Sequence, residues 1–327
     1  KYYDEVETEL KTRSGIAEDS EMPMITLSDY RSTFYQKASA ENEGKIAVVY
    51  ATGTIIDGSS RNGFLGSTDF SEMMRKVRSD ADIKAVVLRV NSPGGSAVAS
   101  DVMWREIELT KQQKPVVVSM GDYAASGGYM ISCNATKIFA QPNTLTGSIG
   151  VFLIIPEFSG LMENKLGITI DTTNTSTYAD FPSVYRPFST HEQKILQSGV
   201  DSTYKHFKQM VASGRGLTME QVESIAQGRI WTGSEARENG LVDEIGGIDE
   251  AVAAAAELGK IKNYFVVEYP EQKSSILDEV VLSLTEEAKM QLDVDDILTL
   301  YPHYMYMREL LERPVMQARL PYEIEVK

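Results

Sequence analysis

Residues 84–96 read KAVVLRVNSPGGS, and residues 115–132 read PVVVSMGDYAASGGYMIS. Each opens with a short apolar run that lacks the alternation of a strand with one wet face. Such runs suit parallel strands covered on both sides. Each run then breaks into glycine and small polar residues before a helical pattern resumes. A buried strand, a glycine-rich turn and a helix make one βα step of an open α/β sheet. In such sheets ligands sit outside the carboxyl ends of the strands. These two stretches therefore set the fold class and also mark where a site would form.

Outward from them the same alternation continues. KIAVVY (45–50) and ATGTII (51–56) read as strands, and Asp69 with Glu72 suits a helix start. That helix carries Phe70, Met73, Met74 and Val77 on one face, and another runs to about Gln113. TKIFA (136–140) and IGVFLII (149–155) extend the strand series. Helical patterns come next at about 190–213, 218–226, 233–239 and 248–258, then a strand, NYFVVEY (263–269). Strands alternating with helices predict a mainly parallel sheet with surrounding helices. Residues 1–44 read as a charged lead-in with helical spacing at Tyr2, Val6 and Leu10. Residues 45–260 form the main domain, and 261–327 a last strand, an amphipathic helix and a tail.

The net charge of −15 repels phosphate backbones, so nucleic acid is not an expected partner. It gives no help in docking to anionic lipid either. The single cysteine, Cys133, permits no internal disulfide. His191, His206 and His303 show no metal-ligand spacing, and no metal or other cofactor is implied. No apolar run is long enough to span a bilayer. The chain starts at Lys1 rather than Met and reads as a piece of a longer protein.

Acyl transfer requires a nucleophile on a sharp turn, a base beside it, and N–H groups aimed at the developing oxyanion. Ser126, between a strand and a helix, fits the first requirement, and the N–H groups of Gly95 and Gly127 fit the third. A serine before Gly-Gly is more often a helix cap or a turn residue. The nucleophile reading expects the Ser126 hydroxyl to stand bare at the corner, with both glycine amides facing the carbonyl it attacks. Tyr129 and Met130 read as core residues rather than pocket walls.

Four strings, RVNSPGGS (89–96), SMGDYAASGGYMIS (119–132), TLTGSIGVF (144–152) and QGRIWTGSEARENGLVDEIGG (227–247), resemble the signal peptide peptidase A (protease IV) family, in the right order across residues 45–260. The resemblance implies a Clp-protease/crotonase-like α/β fold built from repeated ββα units. It implies a membrane-anchored serine peptidase with a Ser/Lys dyad. Such an enzyme degrades cleaved signal peptides and other hydrophobic peptides as a homo-oligomer on the extracytoplasmic side of a bacterial inner membrane. It makes Ser126 the nucleophile, Gly95 and Gly127 the oxyanion-hole donors, and Ser148 the residue that orients the general-base lysine.

One element of the pattern is missing. Short-form members carry the lysine in the segment corresponding to residues 168–193, where this chain has none. Arg186 is the only cation there, and arginine is too basic to serve as a base. Lys165 and Lys194 flank the segment and read as solvated helix residues. Long-form members are tandem duplications with the lysine in the first repeat and the serine in the second. The chain resembles that second repeat, with residues 1–44 as the inter-repeat linker and the lysine arriving from an N-terminal repeat. Two alternatives stay open: a non-catalytic scaffold domain of a peptidase oligomer, and a crotonase-like acyl-CoA enzyme. Oligomer contacts are expected on the helices near 190–213 and 274–293.

Overall fold

The computed structural model describes residues 3–17, 20, 44–270 and 316–319. Residues 1–42 form a unit of their own. Within it α1 (Tyr3–Ser14) is the helix expected from the spacing of Val6 and Leu10. Lys11 and Arg13 lie in its last turn, where cations complement the helix dipole.

The second unit is built on an eight-stranded sheet. Its long members are β1 (Gly44–Thr52), β4 (Ile83–Ser92) and β6 (Val116–Ala125), with β12 (Tyr264–Tyr269) beyond β1. All four run parallel. On the far side of β6, β7 (Lys137–Ala140) pairs with its first half and β8 (Leu145–Gly147) with its last three residues. The edges are β10 (Ile230–Thr232), antiparallel to β8, and β11 (Glu244–Ile245), parallel to β7.

The apolar runs are covered on both faces because successive side chains point to opposite sides. Ala47, Val49, Val86, Leu88, Val116 and Val118 share one core with Phe70, Met74, Met103 and Ile107. Ile46, Val48, Ala85, Val87 and Val117 share the other with Ala251, Ala255 and Ile261. The first core lies under α2 (Ser67–Ser79) and α3 (Ala97–Lys111), the second under the helix Ile248–Leu258.

A smaller sheet grows from the ends of the long strands. It orders β3 (Phe64–Gly66), β2 (Thr54–Ile56), β5 (Gly94–Ser96), β13 (Met316–Arg319) and β9 (Phe152–Leu153). The second repeat, β4, β5 and α3, is thus a long strand, a short second-sheet piece and a helix, the ββα pattern; the first, β1 to α2, has two such pieces, β2 and β3.

Several details differ from the sequence reading. Met73 is only partly buried, while Phe70, Met74 and Val77 carry the helix face. Helix α2 has no side-chain cap; Asp69 instead accepts from the Ser60 N–H at 2.7 Å. The run 149–155 is not one strand. Gly147 and Ser148 take positive φ (76° and 48°), which turns the chain out of the main sheet, so only Phe152–Leu153 pair, in the second sheet. The expected helix within 274–327 lies outside the described residues. Residues 316–319, expected to be tail, form a strand. Among the described residues no helix is long and apolar enough to cross a membrane.

Candidate active site

Strand β6 carries the candidate nucleophile to its place. Val90 faces Met120 across β4 and β6, but Ser92 faces Ala124, so β6 holds extra residues against β4. Such a bulge bends a strand and re-aims the residues beyond it. Asn91 steadies it: its Oδ1 accepts the Tyr123 N–H at 3.3 Å. The strand ends at Ala125, opposite Gly147 of β8, and α4 (Gly127–Ser132) starts at once.

Ser126 sits in that corner with φ 53° and ψ −116°. This is the region of the first central residue of a type II′ turn, which glycine normally supplies. A non-glycine residue there costs roughly 1–3 kcal/mol. The expected corner is present, but the expected bare hydroxyl is not. Ser126 is fully buried, and its Oγ has no hydrogen-bond partner. Burying an unsatisfied hydroxyl costs about 1–3 kcal/mol more. Strand β13 packs against α4. Two penalties, one of backbone and one of side chain, fall on one residue in a region where nearby hydroxyls are satisfied: Ser132 Oγ donates to Gly128 O and Thr146 Oγ1 to Ala124 O, each at 2.7 Å.

Ser148 lies beside it. Ser126 and Ser148 directly follow the paired residues Ala125 and Gly147, and the Ser126 N–H donates to Gly147 O at 2.8 Å. Both have positive φ, and Ser148 is 3% exposed. Its N–H donates to Arg229 O at 2.7 Å, fixing the turn.

Gly95 lies in β5, paired with Ile55 of β2. A Cβ there would stand 1.9 Å from Ile55 O, so only glycine fits. Sequence reasoning passed over Ser92, which fastens this turn. Its Oγ donates to Gly53 O at 2.7 Å and accepts the Gly94 N–H at 3.2 Å. The residue lay inside the quoted turn, but its type alone did not reveal a clamp. Gly127 opens α4, where the first N–H groups have no partner within the helix. Gly128 lets that helix sit on the end of β4, since a Cβ would come 2.5 Å from Ser92 O. Tyr129 and Met130 are core, and Tyr129 Oη donates to Leu241 O at 2.9 Å.

Burial pushes the Cys133 thiol up to about 12, which leaves it inert. Lys165 and Lys194 are exposed, as expected of solvated helix residues. The only buried carboxylates among the described residues, Glu106 and Glu192, are both clamped by arginines. A crotonase-like acyl-CoA enzyme would want free carboxylates beside the glycine amides. That reading finds no support in either group.

Arg186 ties the loop after β9 to the helix Thr190–Arg215. It donates to Asp180 at 2.8 and 2.9 Å and to Glu192 at 2.9 and 2.6 Å. Glu192 also accepts the Ser189 N–H at 2.8 Å, closing a capping box. Hydrogen bonds from Arg186 first, and then from the Ser189 backbone, hold the Glu192 carboxyl down to about 2 from an ordinary 4.5. A depressed carboxylate adds stability above its unfolded value and loses it as pH falls through the folded one. The thermal midpoint should therefore fall between pH 4.5 and 2. In Glu192→Gln the midpoint should be lower at neutral pH and flatter across that window. Thermal melts at closely spaced pH values check both.

Exposed apolar side chains gather after β9, at Ile154, Leu161, Leu166, Ile168 and Ile170. In the helix Thr190–Arg215, Ile195 is the one large exposed apolar residue. The apolar surface thus precedes the expected oligomer helix. The other expected face, 274–293, lies outside the described residues.

Comparison with known proteins shows the family. Residues 108–262 match the model of peptidase family S49. "Protease 4" of Salmonella typhi is 42% identical over 272 residues, covering 82% of this chain and 44% of that protein. "Protease 4" of Haemophilus influenzae is 42% identical over 256 residues, covering 78% of this chain and 41% of that protein. "Serine protease SPPA, chloroplastic" of Arabidopsis thaliana is 35% identical over 287 residues, covering 85% and 42%. The chain thus spans less than half the length of these relatives. With its Clp-protease/crotonase-like sheet and a strained serine at the end of β6, the chain belongs to peptidase family S49.

Proposed function

We propose that the chain is the serine-bearing part of a serine endopeptidase that degrades cleaved signal peptides and other hydrophobic peptides. One observation carries the proposal: Ser126 holds a strained backbone, φ 53° and ψ −116°, at a strand-to-helix corner, although its hydroxyl is buried rather than bare. A fold tolerates such a residue where function requires it.

In this reading a lysine Nζ takes the proton from Ser126 Oγ as the oxygen attacks the scissile carbonyl. The Gly95 and Gly127 N–H groups hold the oxyanion, each worth roughly 3–4 kcal/mol of barrier. The resulting ammonium protonates the leaving amine. Water, deprotonated by the same lysine, then releases the acyl group and restores the hydroxyl. Ser148, which like Ser126 directly follows the Ala125–Gly147 pair, orients the lysine.

The lysine comes from an N-terminal repeat of the longer protein. It must fall from about 10.4 to about 7–8, a cost near 4 kcal/mol that burial between two repeats can meet. The apolar residues at 154–170 suit contact with such a repeat or with further copies in a homo-oligomer. A membrane anchor and an extracytoplasmic site belong to the same reading.

Residues 1–327 alone should hydrolyse a hydrophobic fluorogenic peptide at least a hundredfold more slowly than the longer protein, since the base is absent. Robust turnover by the fragment, abolished in Ser126→Ala, would refute the external lysine. Normal assembly of the longer protein without hydrolysis or fluorophosphonate labelling would favour a scaffold instead.

A further inference from the structure

The turn at Ser148 is braced by a segment that the peptidase reading leaves unused. Two backbone bonds reach it: the Ser148 N–H donates to Arg229 O at 2.7 Å, and the Gly228 N–H donates to Ile149 O at 2.9 Å. Strand β10 continues the brace, with Ile230 paired to Gly147. The Trp231 ring lies against Gly147, where a Cβ would stand 2.8 Å from its Cδ1. Gly147 is also the residue whose carbonyl accepts the Ser126 N–H. Residues 228–231 thus fix the backbone beside both serines.

The brace depends on a left-handed turn. Gln227 and Gly228 take φ 62° and 73°. Glycine adopts that region freely, and glutamine does not. Three bonds hold Gln227 in it. Its N–H donates to Tyr204 Oη at 3.1 Å, its Nε2 donates to Glu223 Oε1 at 3.0 Å, and its Oε1 accepts from Arg229 Nη2 at 2.9 Å. Of the three, only the bond to Tyr204 grips the backbone. Tyr204 belongs to the helix Thr190–Arg215, which Phe207, Met210 and Val211 anchor in the core. Its ring packs against that core, with Lys208 Nζ 4.2 Å from the ring centre and paired to Glu223.

We propose that Tyr204 is a positioning residue of the peptidase: through Gln227 it sets the turn that aims the Ser148 hydroxyl at the lysine. The proposal rests on the reading of Ser148 as the residue that orients the base. Tyr204 itself touches no reacting atom. Without its hydroxyl, Gln227 relaxes from the left-handed region, and Gly228 N–H and Arg229 O move with it. Ser148 then spends less time facing the lysine, so the loss falls on the chemical step rather than on substrate binding.

The test is Tyr204→Phe in the longer protein, a change that deletes one oxygen and keeps the ring in the core. Hydrogen exchange at Ser148 and Gly228 should quicken, because their N–H groups are the two donors of the brace. For a hydrophobic fluorogenic peptide, kcat should fall about tenfold with KM unchanged, the size of one neutral hydrogen bond. In a Ser148→Ala background the same change should cost no further kcat, since an effect relayed through that hydroxyl vanishes with it. A residue that only stabilised the fold would lower the thermal midpoint and leave kcat alone. Unchanged exchange at Ser148, unchanged kcat in Tyr204→Phe, or an undiminished further loss in the Ser148→Ala background overturns the proposal. Intact kcat in Ser148→Ala alone would instead fault the role given to Ser148, and the proposal would fall with it.

Discussion

Ser126→Ala in the full-length protein should lower kcat/KM for a hydrophobic peptide roughly a million-fold and abolish fluorophosphonate labelling, while the protein becomes no less stable. The size of the activity loss is that of removing the nucleophile from a dyad or triad that acts as a unit. The stability result follows from the local structure. The hydroxyl is buried without a partner, so its removal relieves about 1–3 kcal/mol of desolvation. The strain at φ 53° remains in alanine and should be relieved in Ser126→Gly. A denaturant series on the three proteins checks the order. A serine serving only as a helix cap would behave in the opposite way: its loss would cost about 1 kcal/mol and leave hydrolysis untouched. No side-chain cap bond is present at Ser126.

Gly95→Ala should have the second largest effect and should damage activity and folding together. The added carbon would meet Ile55 O at 1.9 Å, and Ile55 C and N at 2.7 Å. All three are backbone atoms of a paired strand, so no side chain can swing aside. Either β2 and β5 separate or β5 shifts. Overpacking of this kind costs about 1–3 kcal/mol. A shifted β5 also misplaces an oxyanion donor, worth roughly a hundred- to thousandfold in kcat. Gly58→Ala is the control, because φ is 82° there but nothing lies within 4 Å of the added carbon. It should lose stability through strain alone and keep kcat. Full activity in Gly95→Ala would remove Gly95 from the oxyanion role.

The main sheet was legible because its strands are buried on both faces. KAVVLRV and PVVVSM have no polar alternation, and the cores on the two sides of β1, β4 and β6 explain why. The helices at 190–215, 219–225, 233–238 and 248–258 lie close to their expected positions. Three of them open with a serine or threonine cap and an acid or amide three residues on, a pattern visible in the string itself. The stretch 149–155 misled because a run of apolar residues is compatible with a strand wherever it lies. The left-handed turn at Gly147 and Ser148 redirects it.

The residues Ser126, Gly95, Gly127 and Ser148 could be picked out by resemblance, yet their relation could not. That Ser126 and Ser148 follow one strand pair depends on β6 lying beside β8. That Gly95 admits no side chain depends on β2 lying beside β5.

The order of buried strands and helices, the glycine turns at the strand ends, and the family are all written in neighbouring residues, as side-chain period, turn chemistry or motif. The burial and strain of Ser126, the clamp at Arg186, and the completion of a sheet beside the serine by residues 316–319 emerge only once the chain is folded. They arise from contacts between segments far apart in the chain or from the packing around them. The free energy of such a contact leaves no local mark on either partner.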